Sequence, residues 1–234
     1  RIDCDFDYED MAEEWMARVI PLANDGSAVA PKADVIPAVV KSIWNRKNPF
    51  PSTITANVLL SGESSAKEIR HYEFDLADSN LSYETGDALN VMPINNGTLV
   101  SNLLQRLVIA PGTVPEGETK TIDELLTYNY EISTPSREFL AAIERQAEDD
   151  FFSNVMSNGD KEALADYLWS KDTLDLLNLN PSVMLSLEEF LALLRPLQHR
   201  AYSISSSPKQ HPGSVHLTVA SVRWQAEGRE HQGV

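Results

Sequence analysis

Arg200-Ala201-Tyr202-Ser203-Ile204-Ser205-Ser206-Ser207 is followed, after a Pro- and Gly-containing turn, by Val215-His216-Leu217-Thr218-Val219. Ala201 to Ser205 and Val215 to Val219 read as strands, and Val222 to Trp224 as a further one, because β-branched and aromatic residues recur in short segments bounded by turn residues. The first run also carries chemistry. Arginine gives bidentate hydrogen bonds to phosphate. Tyrosine offers a face on which a ring can stack, and the serine hydroxyls both donate and accept. Together they equip one strand for a large, flat, anionic ligand such as a dinucleotide flavin. Tyr202 alone is equally readable as a core aromatic, and Arg200 alone as a surface cation; the combination favours the ligand.

Outward from this stretch, the earlier strand signals lie far away in the chain. Thr53 to Leu60 and Glu68 to Leu76 are rich in β-branched and apolar residues, and Gly62 to Ala66 connects them as a hairpin. Tyr83 to Asp87 reads as a turn and Ala88 to Met92 as a short strand. Between these and Arg200 the period changes to that of helices. Leu99, Leu103, Leu104 and Leu107 share a face, and further helices are expected at 122–128, 136–148, 160–169, 173–177 and 187–194. Thr121 with Glu124 predicts a capping box, and Pro196 stops the last helix. The order strands, helices, strands predicts an α+β fold in which an antiparallel β-barrel is interrupted by a helical insertion.

Before the strands, Asp7 caps a predicted amphipathic helix over 7–23, with Met11, Trp15 and Val19 in one stripe. Residues 24–51 read as a linker.

Composition narrows the function. The 234 residues carry a formal charge of −16, which argues against nucleic acid as a partner. Residues 196–234 are the exception, with Arg200, Lys209, Arg223 and Arg229 against Glu227 and Glu230, a plausible seat for an anion. No apolar run approaches the roughly 20 residues of a membrane span, and the acidic N-terminus is the reverse of a secretory leader. The single cysteine, Cys4, excludes an internal disulfide and fits a cytoplasmic setting. His71 reads as a structural strand histidine or a phosphate partner. His199, His211, His216 and His231 fit no zinc spacing, so no metal is expected. No G-x-S-x-G elbow accompanies the serines, which argues against a serine hydrolase.

The pattern resembles the FAD-binding module of the NADPH-dependent diflavin reductases, nearer to the flavoprotein (alpha) subunits of bacterial sulfite reductase than to cytochrome P450 reductase. The resemblance rests on Asp3-Cys4-Asp5-Phe6-Asp7-Tyr8, Ile69-Arg70-His71-Tyr72-Glu73-Phe74-Asp75-Leu76, Gly86-Asp87-Ala88-Leu89-Asn90-Val91, Asp172 with Asp175-Leu176-Leu177, and Leu194-Arg195-Pro196-Leu197 leading into Arg200–Ser207. It implies a ferredoxin-reductase-like FAD-binding barrel over 52–95 and 196–234, a helical connecting subdomain over 96–195, and in 1–23 the tail helix of a flavodoxin-like FMN domain.

The resemblance also implies roles. Arg200 would contact the FAD pyrophosphate and Tyr202 would stack on the isoalloxazine, with Ala201 between them. Ser203 would sit at the flavin N5 as the catalytic residue. Thr218, Val219 and Ala220 would line the adenosine half. Trp224, where the family usually has Tyr, would be an adenine or ribose platform. Gly233 and Val234 would open a pyrophosphate-binding loop, and Thr134, beside Ser133, would add a contact. The chain departs from the family at Glu84-Thr85, Asn90, Met92 and Asn96-Gly97, none of them a principal flavin contact.

By the same resemblance, FMN and NADPH would bind in domains outside these residues. The partners would be those FMN and NADPH-binding domains and a hemoprotein acceptor subunit, with no nucleic acid and no membrane. Residues 1–234 alone would show little NADPH-dependent turnover. The competing expectation is a flavin-independent scaffold or docking module with a degenerate site. A simple ferredoxin reductase is disfavoured, because such enzymes lack the helical insertion.

Overall fold

The computed structural model of the protein describes residues 17–18, 42–76, 78–147, 150–157, 159 and 161–233. The chain divides into two units, 1–41 and 42–234. Within the first, only Ala17 and Arg18 are described, both helical. The rest of the expected 7–23 helix and the linker up to residue 41 lie outside the described residues. The second unit carries every strand among the described residues.

Its strands are β1 (Ile54–Leu59), β2 (Glu68–Asp75), β3 (Ala88–Val91), β4 (Tyr130–Glu131), β5 (Arg195–Pro196), β6 (Arg200–Ser203), β7 (Ser214–Ser221), β8 (Arg223–Ala226) and β9 (Arg229–Gln232). The first, second and seventh form an antiparallel sheet in the order β1-β2-β7, and β3 pairs with β6. The two sheets adjoin where Ile204 bridges Leu217 and the Ser205 N–H donates to the His216 carbonyl at 2.9 Å. Strands from both ends of the unit are therefore knitted together, as the order of sequence signals predicts.

Pleating sorts the side chains of this sheet. Residues two apart share a face, and directly opposed residues share it too. Tyr72 opposes Leu217 and Phe74 opposes Val215. This is the apolar face, and Val215 and Leu217 are fully buried. His71, Glu73, His216 and Thr218 fall on the other face by the same register.

Between β3 and β6 the chain is helical: α1 (Gly97–Leu107), α2 (Ile122–Tyr128), α3 (Arg137–Gln146), α4 (Asp150–Ser157), α5 (Lys161–Leu168), α6 (Thr173–Leu179) and α7 (Leu187–Leu193). The Leu99 stripe is buried as expected, and it joins Ile122, Leu126, Phe139, Ile143, Phe152, Leu176 and Phe190 in the main hydrophobic core. The helices begin where the sequence provides acceptors for orphan N–H groups. Ser136 Oγ accepts from the Phe139 N–H at 2.9 Å, and the Thr121 N–H donates to Glu124 at 3.0 Å. Asp172 with Asp175, and Ser186 with Glu189, close two further capping boxes. The last helix ends at Leu193, and Arg195-Pro196 runs on as β5.

Helices and an antiparallel sheet segregated along the chain make this an α+β protein. Three features were not expected from the sequence: helix α4, the two-residue ribbon of β4 with β5, and strand β9, which pairs in a hairpin with β8, the strand expected near Val222 to Trp224. In the hairpin, Glu227 (φ 48°) and Gly228 (φ 71°) are both left-handed, the conformation a two-residue type I′ turn requires. Among the described residues no helix is long and apolar enough to cross a membrane.

Candidate cofactor-binding site

Strand β6 is an exposed ribbon whose alternate residues differ in burial. Arg200 and Tyr202 are half-buried and share a face with Val91 and Leu89 of β3, which pair with them directly. Ala201 and Ser203 point the opposite way and are exposed. The Arg200 guanidinium is held from one side only. Its Nη2 donates to Glu131 Oε2 at 2.9 Å and its Nη1 to the Gln198 carbonyl at 3.3 Å, while about a third of the side chain (35%) stays open to solvent. A guanidinium has five donors, so donors remain for an anion.

Glu131, 7% exposed, is the residue that organises this corner. One carboxylate oxygen takes Arg200; the other accepts from the Ser133 N–H at 2.9 Å and the Thr134 N–H at 3.2 Å. Thr134 and Arg200, more than sixty residues apart in sequence, are thus tied to one carboxylate. Strand β4 supplies Glu131, and the β4–β5 ribbon fixes it a few residues from β6. The sequence carried no signal for this role, since a lone glutamate before Ile-Ser-Thr fits many surface loops.

Strand β7 brings Thr218 and Ala220 to the exposed side of the sheet, with Val219 half-buried between them. Thr218 Oγ1 donates to Ser205 Oγ at 3.4 Å. The β6 and β7 candidates are therefore neighbours, joined through the Ile204–Leu217 bridge.

Trp224 stands on β8. Its ring stacks on His231 of β9 with centroids 5.2 Å apart and planes inclined by 16°, and its indole N–H donates to the Ser170 carbonyl at 3.1 Å. One face of the expected platform is thus occupied by a histidine. Gly233 closes the hairpin by donating its N–H to the Val222 carbonyl at 2.8 Å, and Val234 lies outside the described residues.

Beneath Trp224 lies a buried ionic cluster. Arg229 Nη2 donates to Asp172 at 2.8 Å and to Asp175 at 2.6 Å, and Arg229 Nε reaches Asp175 at 2.9 Å. His231 Nε2 lies 2.7 Å from Asp175. The two aspartates respond in opposite directions. Burial, opposed by the bond from Arg229, holds the Asp172 carboxyl above its ordinary range. Burial acts the same way on Asp175, but the Asp172 backbone N–H, His231 and Arg229 outweigh it and hold that carboxyl low. Burial also works against the charge of Arg229, and the two carboxylates more than offset it, raising its pKa.

The cluster locks the hairpin to the start of α6. In the sequence Asp172 and Asp175 stood out only as part of the family resemblance; their pairing as a capping box and their second use as an anchor for Arg229 emerge from the structure. A cleft of about 190 Å³ opens beside it, lined by Asn96, Asn102, Ser133, Trp224 and His231 among others. It is smaller than the roughly 300–1,000 Å³ of sites that enclose a drug-sized ligand.

A strand with a half-free arginine and a tyrosine, flanked by hydroxyls and by a cleft on the helical side, suits an extended anionic ligand laid across a sheet. The family model described as "FAD binding domain" matches residues 43–234, and the chain belongs to that family. Along its whole length the chain is similar to "Sulfite reductase [NADPH] flavoprotein alpha-component" proteins. Identity is 35% over 240 residues with that of Bacillus subtilis (strain 168), and 33% over 241 residues with that of Escherichia coli O157:H7. With that of Vibrio cholerae serotype O1 (strain ATCC 39315) it is 32% over 240 residues. All of the chain is covered in each case, but it spans only 40%, 40% and 39% of those relatives.

Proposed function

We propose that this chain is the FAD-binding electron-transfer module of an NADPH-dependent diflavin oxidoreductase of the sulfite reductase flavoprotein type. The observation that carries the reading is the family match over 43–234 together with the placing of Arg200, Tyr202, Ser203 and Thr218 on adjoining strands. The donor set fits the group: a partly free cation, an aromatic ring, exposed hydroxyls, and a neighbouring carboxylate already neutralised by the arginine.

In this reading 52–95 and 196–234 make the FAD-binding barrel, of which the paired strands are the wall, and 96–195 the helical connecting subdomain. Residues 1–23 end an FMN domain and 24–51 link it on. Bound FAD supplies the redox chemistry that couples a hydride donor, NADPH, to one-electron carriers. The chain's own residues bind and orient it. Arg200 would turn its free N–H groups to the pyrophosphate, with Glu131 holding the guanidinium in place and the Thr134 turn beside it. Tyr202 would cover the isoalloxazine, and Ser203, whose side chain leaves β6 on the other side, would have to bring its hydroxyl to N5 past the edge of the ribbon. Ala201 gives close approach, and Thr218, Val219 and Ala220 line the adenosine half. Trp224 bounds the cleft that takes the adenine end, and Gly233 and Val234 begin the loop that closes on the phosphates. FMN and NADPH bind in further domains of the intact protein, which works in the cytoplasm with a hemoprotein acceptor subunit.

Titration of the purified chain with FAD, followed by flavin fluorescence with FMN as control, tests this. Saturable binding selective for FAD is expected. Arg200→Ala is expected to weaken it about tenfold or more, the size of one charge-assisted bond. Indifference to FAD, or equal binding of FMN, would overturn the reading.

A further inference from the structure

The face of the β1-β2-β7 sheet opposite its apolar core holds a cluster to which the cofactor site assigns no role. The i, i+2 spacing puts His71 and Glu73 on one face of β2, and Glu73 stands directly opposite His216 of β7. Their ligating atoms converge. His71 Nε2 lies 3.2 Å from Glu73 Oε1, and His216 Nε2 lies 3.9 Å from Glu73 Oε2. One ligand atom from each of the three residues can be chosen so that all lie within 4.8 Å of one another. A fourth group, His211, packs on His216 with ring centroids 4.2 Å apart.

We propose that His71, Glu73 and His216 form a site for one divalent transition-metal ion, of which Zn²⁺ is the type case. Two imidazoles and a carboxylate are a standard three-ligand set for zinc, with the fourth position left to water or to a further side chain. Metal–ligand bonds of about 2.0–2.1 Å place tetrahedral ligand atoms about 3.4 Å apart. The observed 3.2 and 3.9 Å bracket that value, and a metal on His216 Nε2 would take the place of its present contact with Ser214 Oγ at 3.1 Å. Sequence spacing conceals the set, because its members sit on strands separated by some 140 residues and meet only through the sheet register.

One further feature suits a metal. The site is recessed, with the His216 side chain 7% exposed and that of His71 25%. The other convergent trio among the described residues, Asp172, Asp175 and His231, is already neutralised by Arg229 and has no such vacancy for charge.

The test is calorimetric titration of chelator-treated protein with ZnCl₂, in the absence of FAD, with CoCl₂ as an optical probe. One Zn²⁺ per chain is expected, and a visible d–d absorption band on Co²⁺ addition that Zn²⁺ abolishes. Losing even an outer-sphere partner costs about 10–100-fold in metal affinity, so His71→Ala and Glu73→Gln should each weaken Zn²⁺ binding at least about tenfold. His199→Ala, outside the cluster, should not. His216 is buried and its replacement can disturb folding, so His71→Ala, at a half-exposed strand position, is the deciding variant. Its metal-free melting temperature should match that of the parent. Absence of stoichiometric binding, or binding that His71→Ala leaves unchanged, overturns the proposal. Because no flavin is present, the result is independent of the cofactor reading.

Discussion

Glu131 shows how much one side chain can organise. It is buried, carries a charge, and spends that charge on a guanidinium and two backbone N–H groups. Glu131→Gln keeps the shape but puts an amide where the carboxylate faced Arg200. We expect a loss of about 1–2 kcal/mol in urea unfolding, with the exposed part of Arg200 softening the cost, and a parallel drop in FAD affinity. Glu68 gives a pH signature. Its bonds from Arg70 and Arg223 hold the carboxyl down at about 2, from an ordinary 4.5. A depressed acid contributes stability that is complete above the unfolded value and fades as pH falls through the folded one. The stability difference between the parent and Glu68→Gln should therefore be constant above about pH 4.5 and vanish towards pH 2. It should also shrink in salt, since the group is at the surface. At this scale the sequence spoke for Arg200 and Tyr202, because strand and chemistry coincide there. It was silent on Glu131 and Arg229, whose partners are brought in by distant pairing.

Among elements, those with a period were legible. The Leu99 stripe, the capping box of α2 and the β1–β2 hairpin arise from 3.6- and 2-residue patterns and from turn residues. The β4–β5 ribbon has two residues per strand and no period to read. Strand β9, Arg-Glu-His-Gln, conceals itself differently: its inward residues enter an ionic cluster in place of an apolar core, so hydrophobic alternation is absent. That cluster is what fastens the hairpin. Arg229→Met strands two buried carboxylates and should cost about 3–5 kcal/mol in chemical unfolding. Helix α1 offers the opposite kind of change. Val108, 84% exposed, ends it in a left-handed conformation (φ 60°, ψ 39°) that a β-branched residue adopts only under strain. Val108→Gly should raise stability by about 0.5–1 kcal/mol in the same assay.

For the whole molecule, the large core lies in the helical block, while the candidate ligand contacts lie on and beside the sheet. A ligand that binds only the folded sheet stabilises everything coupled to it. At an FAD concentration one hundred times Kd the gain should be about 2.7 kcal/mol, visible as a melting temperature that climbs with added FAD and not with FMN. Against the strongly acidic balance of the chain, −16 in all, the segment with the ligand strands stands out because its bases outnumber its acids. That asymmetry was legible without any structure.

The register of β2 with β7 and of β3 with β6 joins residues such as Glu68 and Ser221, or Val91 and Arg200. Neither sheet pairing can form until the chain between has been drawn in, and closing so long a loop delays folding more than it weakens the product. Helices made of local contacts have no such delay. In a refolding experiment the amides of 97–193 should gain protection in an early phase, and those of β2, β3, β6 and β7 together in a later one. The ligand strands would then be assembled last, on a helical block that has already shortened the distance between them.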